Sequence, residues 1–537
     1  MTGRSRVLTF LGALALFGLT AVPAPAPAQM TDDQFLDSLQ HACFDFFWQE
    51  ANPSNGLIKD RSSSSSPSSI ASVGFGLTAI CIGIDHGWVT REAGRDRVLT
   101  TLRTFWNGTQ GTAESGVMGY KGFFYHFLDM NSGHRVWSCE LSSIDTGLLL
   151  AGIIDAKQYF DAGDSLDAVV RALADSIYYR MDWNWFRNGD PSIEMGWIPS
   201  TKFGSFGPWI GYNEAMILYI LALGSPTHGV PSNLWQTWTS GYLYRIHYGY
   251  AFIQFPPLFG HQYSHCWIDF RSINDAVMRP RGFTYFENSR RATLAQRAYC
   301  VQNPGGWVGY SDSLWGITAC DSPPGPLYPY SARGAPPAQN DDGTIAPTAV
   351  AGSIAFAPEV CIPTLRSMHN TYRSQIWMKY GFRDAFNLTQ NWWGPDVIGI
   401  DQGPIIIMIE NYRTQRVWNR FMRNPDVQRG LALAGFLPVT SVEPEGRTVP
   451  GSLRLDQNYP NPFNGQSHIR YSLGSSGPVR LEVFDLTGRR VAELVNTEQP
   501  AGEHEALFDA GGCATGAYTY RLTTAAGVRS RTLVLVR

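Results

Sequence analysis

Glu214 heads an otherwise apolar run, WIGYNEAMILYILALGS, at residues 209–225. Glu140 and Asp145 stand in the same relation to Leu148–Ile154 in SCELSSIDTGLLLAG, and Asp401 and Glu410 bracket Ile405–Ile409 in GIDQGPIIIMIENY. A carboxylate among apolar and aromatic groups is costly to ionise, so its pKa rises and it can hold a proton near neutral pH. A second carboxylate kept in polar surroundings stays charged. Hydrolysis of a glycosidic bond needs that unequal pair: an acid to protonate the leaving oxygen and a base to activate water. Tyr212, Ala215, Met216 and Ile217 make Glu214 the candidate acid. Gly399, Gln402 and Gly403 leave the backbone around Asp401 open to water and make it the candidate base. Each acid taken alone is more simply a helix cap or half of a buried ion pair; the chemical reading comes from the three segments together.

Other residues could serve a site or merely pack. His261 and His265 in HQYSHCWIDF are four apart, a spacing that could bind metal on a helix face, but no glutamate follows the first histidine. Packing or hydrogen bonding to sugar is the expected role, and no metal or cofactor is expected. Asp341 and Asp342 in NDDGT read as a turn rather than a calcium loop. Arg271, Arg290 and Arg291 could grip hydroxyls or form ion pairs, with ion pairs favoured. Trp392 and Trp393 are adjacent, so both cannot be buried on one face of a regular element, and at least one is expected to line a surface or cleft. The chain has no G-x-S-x-G, no Gly-rich phosphate loop and no dinucleotide fingerprint.

Helical patterns must position these groups. Apolar spacing and Gly/Pro punctuation predict helices over 32–50, 70–85, 91–105, 141–160, 165–179, 213–223, 233–242, 283–300, 348–353, 358–369 and 404–419. A dozen or so helices joined by aromatic-rich loops, without alternating strands, suggest an (α/α) toroid. SSSSSPSS at 62–69 reads as a loop that could cap the helix after it. Residues 441–452, SVEPEGRTVPGS, are a linker by composition. Beyond them HIRYSL, VRLEVFDL, RVAELV, HEALFD, AYTYRLTT and SRTLVLVR alternate as short strands, predicting a small β-sandwich over 453–537.

Composition bounds the function. The chain has 537 residues and a formal net charge of -3, with no basic block, which argues against a nucleic-acid partner. Aromatic residues make up 13%, including 17 Trp, all between Trp48 and Trp418. That richness reads either as a large core or as a surface that stacks on flat ligands, sugars especially. The N-terminus, MTGRSR then VLTFLGALALFGLTAV then PAPAPAQ, is an export signal with a cut expected after Ala28. Eight scattered cysteines without C-x-x-C argue against zinc. Most read as buried apolar groups, and only Cys300 and Cys320 are weighed as a bridge.

Several stretches together resemble the glycoamylase-like domain of glycoside hydrolase family 144, the endo-β-1,2-glucanase family, over residues 32–420. They include FFWQEANPSNGLIKDR, GYKGFFYHFLDM, ELSSIDTGLLLAGII, GYNEAMILYILALGSPTH, PLFGHQYSHCWIDFR, YFENSRRATLAQRAYC and IDQGPIIIMIENYR. The resemblance implies an (α/α)6 barrel with a deep cleft and anomer-inverting hydrolysis of linear β-1,2-glucan. It places Glu214 and Asp401 as the catalytic pair, with Glu140 and Asp145 beside them, and allows proton transfer through substrate hydroxyls. Tyr212, His261, His265, Arg291, Trp392 and Trp393 are the remaining expected substrate contacts. Related domains act on other β-1,2-linked substrates, and some release disaccharides from a chain end. The tail, LRLDQNYPNPFNGQSHIRYSL with LEVFDLTGRRVAEL and GAYTYRL, resembles the C-terminal sorting domain of the type IX secretion system. That implies the type IX machinery as a partner and export through the periplasm to the cell surface or the extracellular space. Two readings compete with the hydrolase: a polysaccharide lyase using Tyr212 and His261, and a non-catalytic glycan-binding protein.

Overall fold

Two kinds of helical sequence build the larger unit. In a computed structural model, residues 2–3, 30–439 and 453–536 are described, apart from 459, 462, 486, 487 and 526. The export signal, from residue 4 to its expected cut, and the 441–452 linker lie outside them. Helices α1 (Asp32–Gln49), α2 (Ile70–Asp85), α3 (Arg91–Asn107), α4 (Ser143–Tyr159), α5 (Ser165–Tyr179), α6 (Trp183–Phe186), α7 (Met216–Gly224), α8 (Asn233–Ser240), α9 (Tyr285–Gln302), α10 (Pro347–Ala351), α11 (Pro358–Ile376), α12 (Gly399–Arg413), α13 (Arg416–Phe421) and α14 (Pro425–Leu433) follow in order.

A helix that is apolar all round must be buried all round. Accordingly α2 is buried continuously from Ile70 to Gly83, and all of α7 is buried. Helices with a single apolar stripe lie outside them; α3 buries Gly94, Val98, Leu99, Thr101, Leu102 and Phe105 on one face. Capping starts these outer helices: Thr31 and Gln34 form a capping box on α1, and Thr90 and Asp164 cap α3 and α5.

The buried helices touch in a closed circuit. α2 packs on α4, α4 on α7, α10 on α12, and α12 back on α2. Two 3₁₀ turns, Leu258–His261 and Tyr263–Cys266, complete it. Ile217 N–H donates to Ser264 Oγ (3.0 Å), and Gln262 Nε2 donates to the Ala349 carbonyl (2.8 Å). The α2–α4 contact is a backbone contact. A Cβ on Gly74 would stand 2.3 Å from the Leu148 carbonyl oxygen, and one on Gly152 would stand 1.9 Å from that of Gly74. The result is an α toroid with its core between and within two layers of helices.

The smaller unit, Ser441–Arg537, is all β among its described residues. One sheet joins Arg454–Leu455, Gln466–Leu473 and Gly502–Asp509; the other joins, in order, Arg490–Gln499, Gly477–Phe484, Gly516–Thr524 and Gly527–Leu535. Alternating inward residues, among them Ile469, Tyr471, Leu481, Val483, Tyr520, Leu522 and Leu533, form its separate core.

Some boundaries differ from the expected ones. The helix expected from Asn213 begins at Met216, leaving Glu214 in the turn before it. The one expected from Pro404 begins at Gly399, so Asp401 falls in its first turn. α14 was not expected, although Asn424 caps it and Pro425 occupies its first position. Ser69 precedes α2 but its hydroxyl makes no cap bond. Cys300 and Cys320 are both free thiols.

Candidate active site

Four of the buried helices, α2, α4, α7 and α12, present the same kind of end to one cavity of about 560 Å³. Its wall includes Ser69 and Ser142, the residues just before α2 and α4; Asp145 in the first turn of α4; Glu214 just before α7; and Ile398 and Ile400 at the start of α12. Converging helix N-termini make a positive field that favours negative charge. This explains why the carboxylates of this sequence head its apolar runs. Short strand pairs between helices set the rim: Ser68–Ser69 with Phe127–Leu128, and Leu141–Ser142 with Gly196–Trp197.

Glu214 is half-buried in this wall, and its Oε2 is sealed from solvent without a hydrogen-bond partner. Burial raises its pKa from 4.5 to about 7; a backbone hydrogen bond opposes this and the nearby Asp145 charge adds to it. It therefore holds a proton through much of the neutral range. On the adjoining wall Glu140 accepts from His126 Nδ1 (2.9 Å), and Asp145 Oδ2 lies 3.6 Å from His126 Nε2. Ser142 Oγ donates to the same Asp145 oxygen (2.5 Å). Burial disfavours the imidazolium, but Asp145, Glu140 and Asp60 outweigh it and raise His126 to about 9. Ligand atoms of His126, Glu140 and Asp145 lie within 4.8 Å of one another, as a metal site would require. With no ion bound, Glu140 and Asp145 compensate the charge of the His126 ring.

Asp401 corrects the sequence reading. Its surroundings are not wet: the residue is 4% exposed and its Oδ2 is buried without a partner. Burial, then the charge of Asp384, then its hydrogen bond with Asp384 push its pKa well up, and Asp321 and Asp60 add to the effect. Asp384 is fully desolvated as well and is raised to about 7, while its Oδ2 accepts from the Asp321 N–H (2.6 Å). Asp384 Oδ1 is another buried oxygen without a partner. Arg61 is the cation of this region, with Nε 3.2 Å from Asp60 and Nη1 3.1 Å from Asp321 and 3.6 Å from Asp396. Asp401 lies behind the cavity wall. The Tyr263 hydroxyl on that wall is pushed well up by burial and by the charges of Asp401, Glu214 and Asp145 together. Both expected catalytic acids thus act on one side chain at one end of the toroid.

The remaining candidates lie elsewhere. Tyr212 is buried, 3.4 Å from Ser289 Oγ. His261 and His265 occupy the 3₁₀ turns, not one helix face, and are 0% and 1% exposed. Burial lowers both to about 3, and Tyr212 and His261, whose rings meet at 4.8 Å, do not line this cavity. Arg291 pairs with Glu287 (2.9 Å) over the Phe283 ring. Arg271 pairs with Asp269 and Arg290 with Glu359. Trp392 and Trp393 form a strand outside the cavity wall, Trp393 stacked on Phe386. Asp341 accepts from Tyr299, Trp307 and Tyr310, and Asp342 holds Arg333. Glu410, at the far end of α12, is held by Gln40, His86 and Thr414 and lowered to about 2. Sequence reasoning missed Asp60, Arg61, His126, Tyr263, Asp321 and Asp384. Only His126, a lone polar residue in the apolar stretch GFFYHFL, carried a local signal.

Comparison with known proteins places the chain among relatives. The Glycoamylase family model, described as "Putative glucoamylase", matches residues 207–425, and a secretion system C-terminal sorting domain matches 457–536. A crystal structure of a Bacteroides uniformis protein of that same glucoamylase description is 33% identical, with a TM-score of 0.71, covering 77% of this chain and 99% of that one. An endo-β-1,2-glucanase from Chitinophaga pinensis, in complex with sophorotriose and glucose, is 30% identical, with a TM-score of 0.69, covering 76% and 99%. An exo β-1,2-glucooligosaccharide sophorohydrolase from Parabacteroides distasonis is 32% identical over 435 residues, 75% of this chain. The chain spans 58% of the length of that curated relative. The chain belongs to the glycoamylase-like family of the β-1,2-glucanases, glycoside hydrolase family 144, and carries a C-terminal secretion sorting domain.

Proposed function

We propose that this protein is an exported glycoside hydrolase that cleaves β-1,2-linked glucan with inversion of the anomeric centre. The observation that carries it is Glu214: a carboxyl with an unpartnered oxygen, raised by burial to about 7, set in a cavity whose other walls hold Glu140, Asp145 and apolar rings. Glu214 gives its proton to the leaving glycosidic oxygen. The Asp384–Asp401 dyad, with one proton shared, holds the negative charge that takes a proton from the attacking water, with Asp401 as the base and a substrate hydroxyl able to pass the proton on. Glu140, Asp145 and His126 offer fixed hydrogen-bond partners to sugar hydroxyls, while Phe127, Phe206, Trp209 and Phe259 supply ring and edge surface. The inner circuit is read as an (α/α)6 barrel over 29–440, joined by the 441–452 linker to a sorting domain over 453–537 that hands the protein to the type IX machinery. The substrate linkage rests on the two relatives named for β-1,2-glucan chemistry.

Incubation with 1,2-, 1,3- and 1,4-linked β-glucans, followed by chromatography of the products, tests the reading. Oligosaccharides are expected from the 1,2-linked polymer alone; cleavage of the other two and not of it overturns the substrate. Products that absorb in the ultraviolet as unsaturated sugars would mark a lyase. Normal glucan binding with no new reducing ends would mark a binding protein.

A further inference from the structure

A second cavity, of about 620 Å³, is lined by chain neighbours of residues that line the proposed catalytic one. Its lining includes Glu50, Asn52, Lys59, Asp129, Asn131 and Trp137. The chain passes from one to the other without a gap: Lys59 faces the second cavity where Asp60 and Arg61 face the first, and Phe127 faces the first where Asp129 faces the second. Ring contacts join the two linings. Trp137 meets Phe127 edge-on at 5.2 Å, and Phe127 stacks on His126 at 3.9 Å and 12°.

Trp137 itself is 70% exposed and has φ 54°, a left-handed backbone that a large side chain adopts only where its surroundings hold it. Hydrogen bonds on both sides do so: Val136 N–H donates to the Phe127 carbonyl (3.2 Å), and Phe127 N–H donates to Cys139 Sγ (3.4 Å). An indole face is thus fixed toward solvent beside amide, hydroxyl and charged groups, with Glu50 and Lys59 neutralising each other at 2.7 Å. A flat ligand with an apolar face and a ring of hydroxyls fits that mixture, and the volume is in the range of small-ligand sites, ~300–1,000 Å³.

We propose that this cavity is a remote subsite for further glucose units of the chain whose scissile bond lies at Glu214, with Trp137 as the stacking platform. It rests on the hydrolase reading above. The test is steady-state kinetics of wild type, Trp137→Ala and Trp137→Phe on β-1,2-gluco-oligosaccharides of increasing length and on the polymer. The ratio of variant to wild-type KM for Trp137→Ala is expected to climb with chain length, reaching about tenfold on the polymer. The loss is expected in KM more than in kcat, because remote stacking binds substrate and transition state alike. Trp137→Phe, which keeps a ring, is expected to recover part of it. A KM ratio independent of chain length overturns the subsite. Failure of wild type to cleave any member of the series counts instead against the hydrolase reading beneath it.

Discussion

Replacing Glu214 by glutamine keeps the shape of the side chain and removes its titration. In the native protein the carboxyl is raised from 4.5 to about 7, chiefly by burial. The folded state therefore holds this proton more tightly than the unfolded chain. The stabilisation that results is fully present below 4.5 and is lost as pH rises through about 7. A displacement of ~2.5 units at ~1.36 kcal/mol each amounts to about 3 kcal/mol. Wild type is thus expected to lose about 3 kcal/mol relative to Glu214→Gln between pH 4 and pH 8. Urea titrations at several pH values, followed by tryptophan fluorescence, read this directly. All 17 Trp lie between Trp48 and Trp418, so the signal reports the helical unit and not the tail. The same variant is expected to lose hydrolysis, and the alkaline limb of the wild-type kcat/KM profile is expected near pH 7. A stability difference that stays constant across that range would refute the claim that burial holds the acid protonated.

Three further outcomes follow from the charges around it. Asp384→Asn removes the negative charge that raises Asp401, so the acid limb of kcat/KM is expected to move to lower pH; an unmoved limb would separate Asp384 from the base. His126 is raised from 6.5 to about 9, so its stabilisation is complete below 6.5 and fades as pH rises through about 9. In urea titrations His126→Gln is expected to lose up to about 3 kcal/mol at pH 6 and much less at pH 10. Asp155, buried against Arg420 through two contacts of 2.7 Å, is structural, and Asp155→Asn is expected to cost up to about 3–5 kcal/mol by leaving the buried cation with only Asp85, 3.8 Å away, as counter-charge, a drop that thermal unfolding would register.

What the sequence revealed depended on how local each cause was. The apolar surroundings of Glu214 come from residues beside it in the chain, Tyr212 and Ala215–Ile217, so its raised pKa could be anticipated. The surroundings of Asp401 come from Asp384, Asp321 and Asp60, which lie 17 to 341 residues away in the chain; nothing in GIDQGP announces them, and the flanking glycines suggested water where the fold packs Phe75 against Gly403. The inner helices were legible because a run such as Ile70–Gly83 can only be buried. Packing was among the roles expected of the histidines at 261 and 265, but their setting was not legible, because a four-residue spacing speaks of one face only in an α-helix and each stands in a 3₁₀ turn. In the tail, period-two alternation in HIRYSL and AYTYRLTT marked the strands, since each such strand has one face to bury.

The central claim is that a protonated Glu214 and a charged Asp384–Asp401 dyad act on opposite sides of one β-1,2-glucosidic bond. Proton NMR of wild-type protein mixed with β-1,2-glucan, recorded before mutarotation, tests it most directly. An α-anomeric reducing end appearing first is the expected result, and a β-anomeric one appearing first would contradict the account.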